Sequence, residues 1–431
     1  MLKAPKQTSP MPRAPEPGAT VDQWLAYLEA LHPTEIDLGL DRVLLVLRRL
    51  FPGKPEARII TVGGTNGKGT TVAAIERLLL SRGRKVGAYT SPHLQRYNER
   101  VRLNGEDVSD AALVGAFEAV EAARRDVSLT YFEFGTLAAF LLFRDAGIED
   151  WILEVGLGGR LDAVNVLDAD LAIITSVDLD HTAWLGDDRD QIGFEKAGIL
   201  RYRQNAIYGD EDPPRSVLQQ AAAQKVRLYR FGEAYRLESD DSGLRRVVTA
   251  GWQVALPGTT LPERSLAAAV QAIRLLEPEM SPEAIHRALA DVRVAGRFEQ
   301  LLSSPALYVD VGHNPHAARW LRERIAALSV RGKVHAVYAC LSDKDTAGVV
   351  AAMAAVVDRW FLAPLDVPRG LDIDTLVRRV EPVVGDKAVV ERAGSVAEAI
   401  EAAREVAGEN DCIIVFGSFF TVAEARSAVP G

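Results

Sequence analysis

Short, wholly apolar runs punctuate the chain, and the stretches between them place apolar residues at helical spacing. Ile59, Ile60 and Val62, then Lys85 to Tyr89, Trp151 to Val155 and Leu171 to Val177 read as buried strands of a parallel sheet. Helical spacing appears from Val21 to His32, where Trp24, Leu25, Leu28 and Leu31 form one stripe, and again at Leu40 to Leu50, Val72 to Arg82, Asp110 to Arg125 and Phe132 to Ala146. A weaker helical pattern covers Gln191 to Ile199, and the polar, basic stretch Leu94 to Arg102 reads as a loop. From Asn205 to Leu256 short alternating segments, including Arg227 to Arg230 and Leu244 to Val248, predict strands that complete a first domain. Helices at Ser265 to Leu276 and Pro282 to Ala290 close it. After a linker, Asp291 to Arg297, with Gly296 as pivot, strands recur at Ala306 to Asp310, Val334 to Cys340, Arg359 to Leu362, Lys387 to Glu391 and Cys412 to Phe416, with helices between.

With 431 residues the chain exceeds what one core ordinarily organises. Its net charge of -9 argues against a nucleic-acid partner. Cys340 and Cys412 lie far apart in apolar runs, so neither a disulfide framework nor a CxxC metal site is available. No apolar run reaches membrane-spanning length and no signal-peptide segment opens the chain, which predicts a cytoplasmic protein without a membrane partner.

The densest chemistry stands at Arg58 to Thr71, RIITVGGTNGKGTT. A strand, a loop carrying Gly63, Gly64, Gly67 and Gly69, and a helix follow one another, so backbone N–H groups, a helix N-terminus and Lys68 converge on one anion. The loop is a shortened P-loop variant, with Val62 where a glycine is usual and Gly69 between Lys68 and Thr70. The predicted fold is therefore α/β, an N-terminal P-loop nucleotide-binding domain over 19–293 plus a smaller C-terminal Rossmann-like α/β domain over 294–431. Pro5, Pro10, Pro12, Pro15 and Pro17 predict a disordered tail over 1–18.

Other polar residues cluster at predicted strand ends. Thr90, Ser91, Pro92 and His93 emerge where parallel sheets bind ligands. Glu154 is the one charged residue of an apolar strand, and a lone buried carboxylate needs a cation or a set of donors, for which a metal is the economical answer. The next strand delivers Asp178, Asp180 and His181, and His181 joins Glu154 as a candidate ligand in a domain whose phosphate loop needs a divalent cation. A GxGG at Gly156 to Gly159 has the wrong spacing for a dinucleotide site. By pattern alone, Lys196 reads as an ordinary lysine paired with Glu195 or a neighbour.

Seven segments in register, GGTNGKGTT at 63–71, TSPHL at 90–94, GLGGRLDAVN at 156–165, DHTAWLG at 180–186, EKAGI at 195–199, GRFE at 296–299 and DVGHNPHAA at 310–318, resemble the folylpolyglutamate synthase family, a branch of the ATP-dependent Mur-type ligases. The resemblance spans Trp24 to Glu424. It implies that ATP phosphorylates the carboxylate of dihydropteroate or of a folate such as tetrahydrofolate, and that the amine of L-glutamate then displaces phosphate. It further implies that Lys68 and the backbone of Thr65, Asn66, Gly67, Gly69 and Thr70 hold the ATP phosphates, with Arg297, Asp310 and His313 completing the nucleotide site. Thr70, Ser91, Glu154 and His181 match ligands of one or two Mg²⁺ ions. Lys196 matches a lysine carbamylated by CO₂, and joins Lys68, Glu154 and His181 as the catalytic set.

By the same resemblance Thr130, Phe132 and Asp162 are pterin contacts, Lys344, Asp345 and Ser418 are glutamate contacts, and the working unit is a monomer. Two departures stand out: Ser265 where many relatives carry an adenine-contacting asparagine, and Val311-Gly312 in place of Gly-Ala. The competing readings are a Mur-type amino-acid ligase of cell-wall synthesis, a P-loop NTPase or kinase, and a nucleotide-binding module without catalysis.

Overall fold

The structure, a computed structural model, describes residues 12–240 and 243–429. Its centre is the strand Arg58–Gly63, flanked in parallel by Asp150–Glu154 on one side and Leu171–Ile174 on the other. The sheet continues past Asp150–Glu154 to Val86–Tyr89, Val101–Leu103 and Glu106–Asp107, and past Leu171–Ile174 to Asn205–Tyr208 and Arg227–Arg230. The chain leaves Arg58–Gly63 in both directions along the sheet, which makes its carboxyl end the switch point where α/β sheets open a crevice. In register, Glu154 lies beside Val62, so the lone strand carboxylate ends next to the glycine-rich loop.

Each face of this sheet carries its own core. On one, helices Val21–Leu31, Asp41–Leu50, Asp110–Arg124 and Tyr131–Asp145 bury Trp24, Phe117, Phe134 and Phe140. On the other, helices Lys68–Leu80, Glu263–Leu276 and Pro282–Ala290 pack with a separate antiparallel sheet of Tyr235–Ser239, Arg245–Thr249 and Trp252–Ala255. The second domain is a sheet in the order Glu299–Ser303, Ala306–Asp310, Cys412–Phe416, Val334–Tyr338, Arg359–Leu362 and Val389–Arg392, covered by helices on both faces. Among the described residues no helix is long and apolar enough to cross a membrane.

The α/β architecture is the predicted one, with local corrections. The loop helix begins at Lys68 rather than Val72, because Gly67 adopts a left-handed φ of 87° and turns the chain into the helix at once. The stretch read as a loop from Leu94 to Arg102 holds a short 3₁₀ turn, Tyr97–Arg100, and starts an edge strand. Of the alternating segments after Asn205, only the first two extend the main sheet; the others form the antiparallel layer. The second domain opens on an antiparallel edge strand, Glu299–Ser303, which the parallel pattern did not predict. Most of the tail expected over 1–18 lies outside the described residues; 12–18 form no helix or strand, yet Ala14 packs on the first core.

Asp150 begins its strand with a fully buried carboxylate that pairs with Arg58 and Arg84, while Arg58 also bonds Glu277 and the Leu276 carbonyl at the end of a helix. Removing one partner of such a set leaves the others desolvated and unpaired. Asp150→Ala is expected to lower unfolding stability by about 3 kcal/mol or more, read from urea unfolding followed by circular dichroism.

Candidate active site

The glycine-rich loop is pinned before it meets any ligand. Thr175 Oγ1 donates to the carbonyls of Gly63 and Asn66, Ser176 Oγ accepts from the Asn66 N–H, and the Thr65 hydroxyl bridges the Asp178 backbone. At Gly67 a Cβ would come 2.5 Å from Ser265 Oγ, so the close approach itself requires glycine. No side chain caps the helix that starts at Lys68, and the N–H groups of Gly67, Lys68, Gly69 and Thr70 have no partner among the described residues. These donors point an N-terminal helix dipole at one place, and Lys68 Nζ folds back on the Gly64 and Thr65 carbonyls beside them.

Around that helix start the sheet ends deliver charge. Buried Glu154 accepts the Ser91 N–H at 3.2 Å; burial raises its pKa, and Lys68 opposes the rise. A Cβ on Gly69 would stand 3.9 Å from Glu154 Oε2, and the next residue, Thr70, has a buried hydroxyl without a hydrogen-bond partner. Burial holds His181 down to about 4 against the pull of Asp180, so its imidazole is neutral and able to ligate. Lys196 is not the surface-type lysine its pattern suggested: Glu195 pairs with Arg160 instead, and Lys196 is buried with no ion pair or hydrogen bond among the described residues. Burial, then the nearby charge of Lys68, lowers its pKa to about 7.

One cleft between the domains gathers these groups with Thr130, Phe132 and Asp162 on one wall and Arg297, Asp310 and His313 on the other. Phe132 lies against Gly156, where a Cβ would come within 2.7 Å of the ring, and beside Tyr89 at 5.8 Å, leaving a flat apolar surface. Thr130 caps the helix Tyr131–Asp145 in a capping box with Glu133. Asp162 accepts the Leu157 and Val164 N–H groups, and its pKa is nevertheless raised to about 7 by burial. Arg297 lies over the Phe419 ring at 5.3 Å, and Asp310 accepts from the Phe298 and Gly312 N–H groups. Ser265 lines the cleft beside the phosphate loop.

The residues matched to glutamate are placed differently. Lys344, Asp345 and Ser418 do not line this cleft. Asp345 and Ser418 cap helices Thr346–Met353 and Phe419–Ala428, and the Lys344 ammonium is 2.7 Å from Asp180 with its side chain only 7% exposed. Asn66, whose backbone is expected at the phosphates, lines the cleft, gives its N–H to Ser176 Oγ, and bonds side chain to side chain with Asn314 and His316 of the other domain.

The Mur ligase middle domain model matches residues 62–242, and the Mur ligase, glutamate ligase domain model matches 296–419. The chain is 44% identical to the dihydrofolate synthase/folylpolyglutamate synthase of Escherichia coli K12 over 417 residues, covering 97% of each. It belongs to the dihydrofolate synthase/folylpolyglutamate synthase family. Solved structures of this family superpose closely. The E. coli protein in complex with DHPP and ADP has a TM-score of 0.92 at 43% identity, over 96% of this chain and 99% of that one. A bifunctional folylpolyglutamate synthase/dihydrofolate synthase with Mn, AMPPNP and L-glutamate bound has a TM-score of 0.89 at 43% identity, again over 96% and 99%.

For a family represented with Mn and nucleotide, the donors present suit divalent cations: an orphan hydroxyl at Thr70 and a buried carboxylate at Glu154 by the phosphate loop, and separately a neutral imidazole at His181. Among the described residues no three His, Cys, Asp or Glu side chains converge, so such an ion would draw on hydroxyls and on the nucleotide's own phosphates. Asp180, named in the sequence only as a strand-end residue, joins the two domains. It receives His313 Nε2 at 3.3 Å, Asn314 at 3.4 Å and Lys344 at 2.7 Å, all from the second domain. Burial alone would raise its pKa, but the His313 hydrogen bond and the Lys344 ammonium hold it far below the carboxylate range. Its place directly before His181 was the available signal.

Two outcomes follow from this geometry. Thr70→Val deletes an orphaned hydroxyl at constant shape, so thermal stability should hold or rise while Mn²⁺ affinity in the presence of nucleotide falls about tenfold or more, read by electron paramagnetic resonance. Asp162 binds its proton more tightly folded than unfolded, so its contribution to stability falls as pH rises from about 4 to about 7. Asp162→Asn should flatten the fall of the unfolding free energy across that window.

Proposed function

We propose that the chain is an ATP-dependent ligase that joins L-glutamate to dihydropteroate, forming dihydrofolate, and to folates, forming polyglutamates. The observation that carries this reading is the single cleft in which the phosphate-receiving helix start, the aromatic wall at Phe132 and the second domain's Arg297 and Asp310 face one another. A carboxylate is a poor electrophile, so it must be activated before an amine can attack it. The Gly67 to Thr70 N–H groups and Lys68 take the ATP phosphates, and Arg297 and Asp310 hold the nucleotide from across the cleft. An oxygen of the acceptor carboxylate attacks the γ-phosphorus, the bond to the bridging oxygen breaks, and ADP leaves. The glutamate amine then attacks the acyl carbon, the carbon–oxygen bond breaks, and that oxygen departs with phosphate. Phe132 stacks on the pterin ring and Asp162 accepts its N–H groups, fixing the acceptor so that its carboxylate meets the γ-phosphate.

Thr70, Ser91 and Glu154 would hold one Mg²⁺, and His181 with Lys196 a second, supplying positive charge against the transferring phosphoryl group. The Lys196 amine, neutral above about pH 7, can add its lone pair to the carbon of CO₂ and lose a proton to solvent, turning a neutral amine near Lys68 into an anionic carbamate.

Purified protein with Mg·ATP, L-glutamate and either dihydropteroate or tetrahydrofolate tests the reading by phosphate release and the mass of the pterin product. One added glutamyl group on both acceptors is expected; gain on one alone limits the assignment to that activity, and phosphate release without an acceptor would make the protein an NTPase. Lys196→Ala should lower turnover about a hundredfold or more and remove a carbamate carbon signal in ¹³CO₂-equilibrated protein.

A further inference from the structure

Among the cations that line the cleft without a role in that scheme, Arg369 stands opposite the acceptor wall. Arg369, on the second-domain loop between Leu362 and Ile373, lines the cleft with its side chain 44% exposed. The loop is anchored, with Gly370 bridged to Leu341 and the Arg369 carbonyl accepting the Ser342 N–H at 2.8 Å, so the guanidinium projects from a fixed base. Its carboxylate neighbours are Glu35 at 3.6 Å and Asp343 at 3.7 Å, both beyond hydrogen-bond length. Exposed pairs at such distances contribute little, so all five N–H donors remain available to a better-placed anion.

The position says which anion. Glu35 belongs to the segment after helix Val21–Leu31, and that segment is tied to the acceptor wall: His32 bonds Ser128, and Arg42 joins Asp37 to Glu133 in the first turn of the helix that carries Phe132. Arg369 therefore stands across the mouth of the acceptor pocket. Dihydropteroate has one carboxylate, the one that reacts. A folate acceptor carries a second on its glutamyl group, which stays unreacted and must be desolvated or paired. Arg100, a cation beside the acceptor wall, lies over the Tyr97 and Tyr131 rings and is bonded to His93, within the aromatic part of the pocket.

We propose that Arg369 receives the non-reacting carboxylate of the glutamyl group of folate acceptors, and so serves the polyglutamylating activity without serving dihydrofolate formation. This rests on the ligase reading above. A planar guanidinium and a carboxylate form two parallel charge-assisted bonds, a geometry that glutamine at this position cannot reproduce.

The test is steady-state kinetics of the intact protein, wild type, Arg369→Gln and Glu35→Gln, with each acceptor varied separately. Arg369→Gln should raise KM for tetrahydrofolate about tenfold or more while KM for dihydropteroate and for L-glutamate stay within about twofold. Glu35→Gln, which removes the bridge but leaves the guanidinium, should leave KM for tetrahydrofolate unchanged or lower it. Equal shifts on both acceptors, a raised KM for L-glutamate, no shift at all, or the same loss from Glu35→Gln would overturn the assignment. Wild-type protein inactive on both acceptors would instead overturn the ligase reading itself, which keeps the two failures apart.

Discussion

Lys68 stands close enough to Lys196 to disfavour its charge, and Glu154 is buried near Lys68 with its proton affinity raised. No arrangement of these groups alone is electrostatically content. Burial lowers the pKa of both lysines and raises that of the carboxylate, while a helix N-terminus adds further positive potential. Phosphates and divalent cations supply the missing charges together. The protein holds this strained set in place with uncharged bonds: Thr175, Ser176 and Thr65 tie the loop to the neighbouring strand end, so the charged groups need not hold one another.

The same site reaches across the domain boundary. Asp180 sits one residue before His181 and takes three donors from the second domain, and Asn66 of the phosphate loop exchanges hydrogen bonds with Asn314. The position of the second domain is thereby tied to the phosphate loop and to the segment that carries His181. A ligase whose nucleotide cleft is lined by both domains needs such a coupling, since an error of about 1 Å in approach costs orders of magnitude in rate.

Much of the fold was legible because its strands are buried on both faces and its helices carry regular apolar stripes, the strongest patterns a sequence offers. The small antiparallel sheet and the edge strand Glu299–Ser303 were misplaced because half-exposed short strands share their alternation with loops. At the site, the phosphate loop declared itself through its glycines, and Glu154 through being a charge in an apolar strand. Lys196 did not, because burial at the end of a short helix is a tertiary fact that its neighbours in sequence do not encode. Asp180 and Arg369 were hidden for a related reason: each acquires meaning only from residues more than a hundred positions away. Asp345 and Ser418 drew attention as polar residues at strand ends, and each also caps the helix that follows.

The central claim is that the cleft transfers phosphate to a carboxylate and then exchanges that phosphate for an amine. Acceptor labelled with ¹⁸O in its carboxylate tests it most directly. During turnover with ATP and L-glutamate, one labelled oxygen should leave with inorganic phosphate and the other remain in the new amide. Phosphate free of the label would contradict the account, because its fourth oxygen would then have come from water and the nucleotide would have been hydrolysed rather than used to activate the acid.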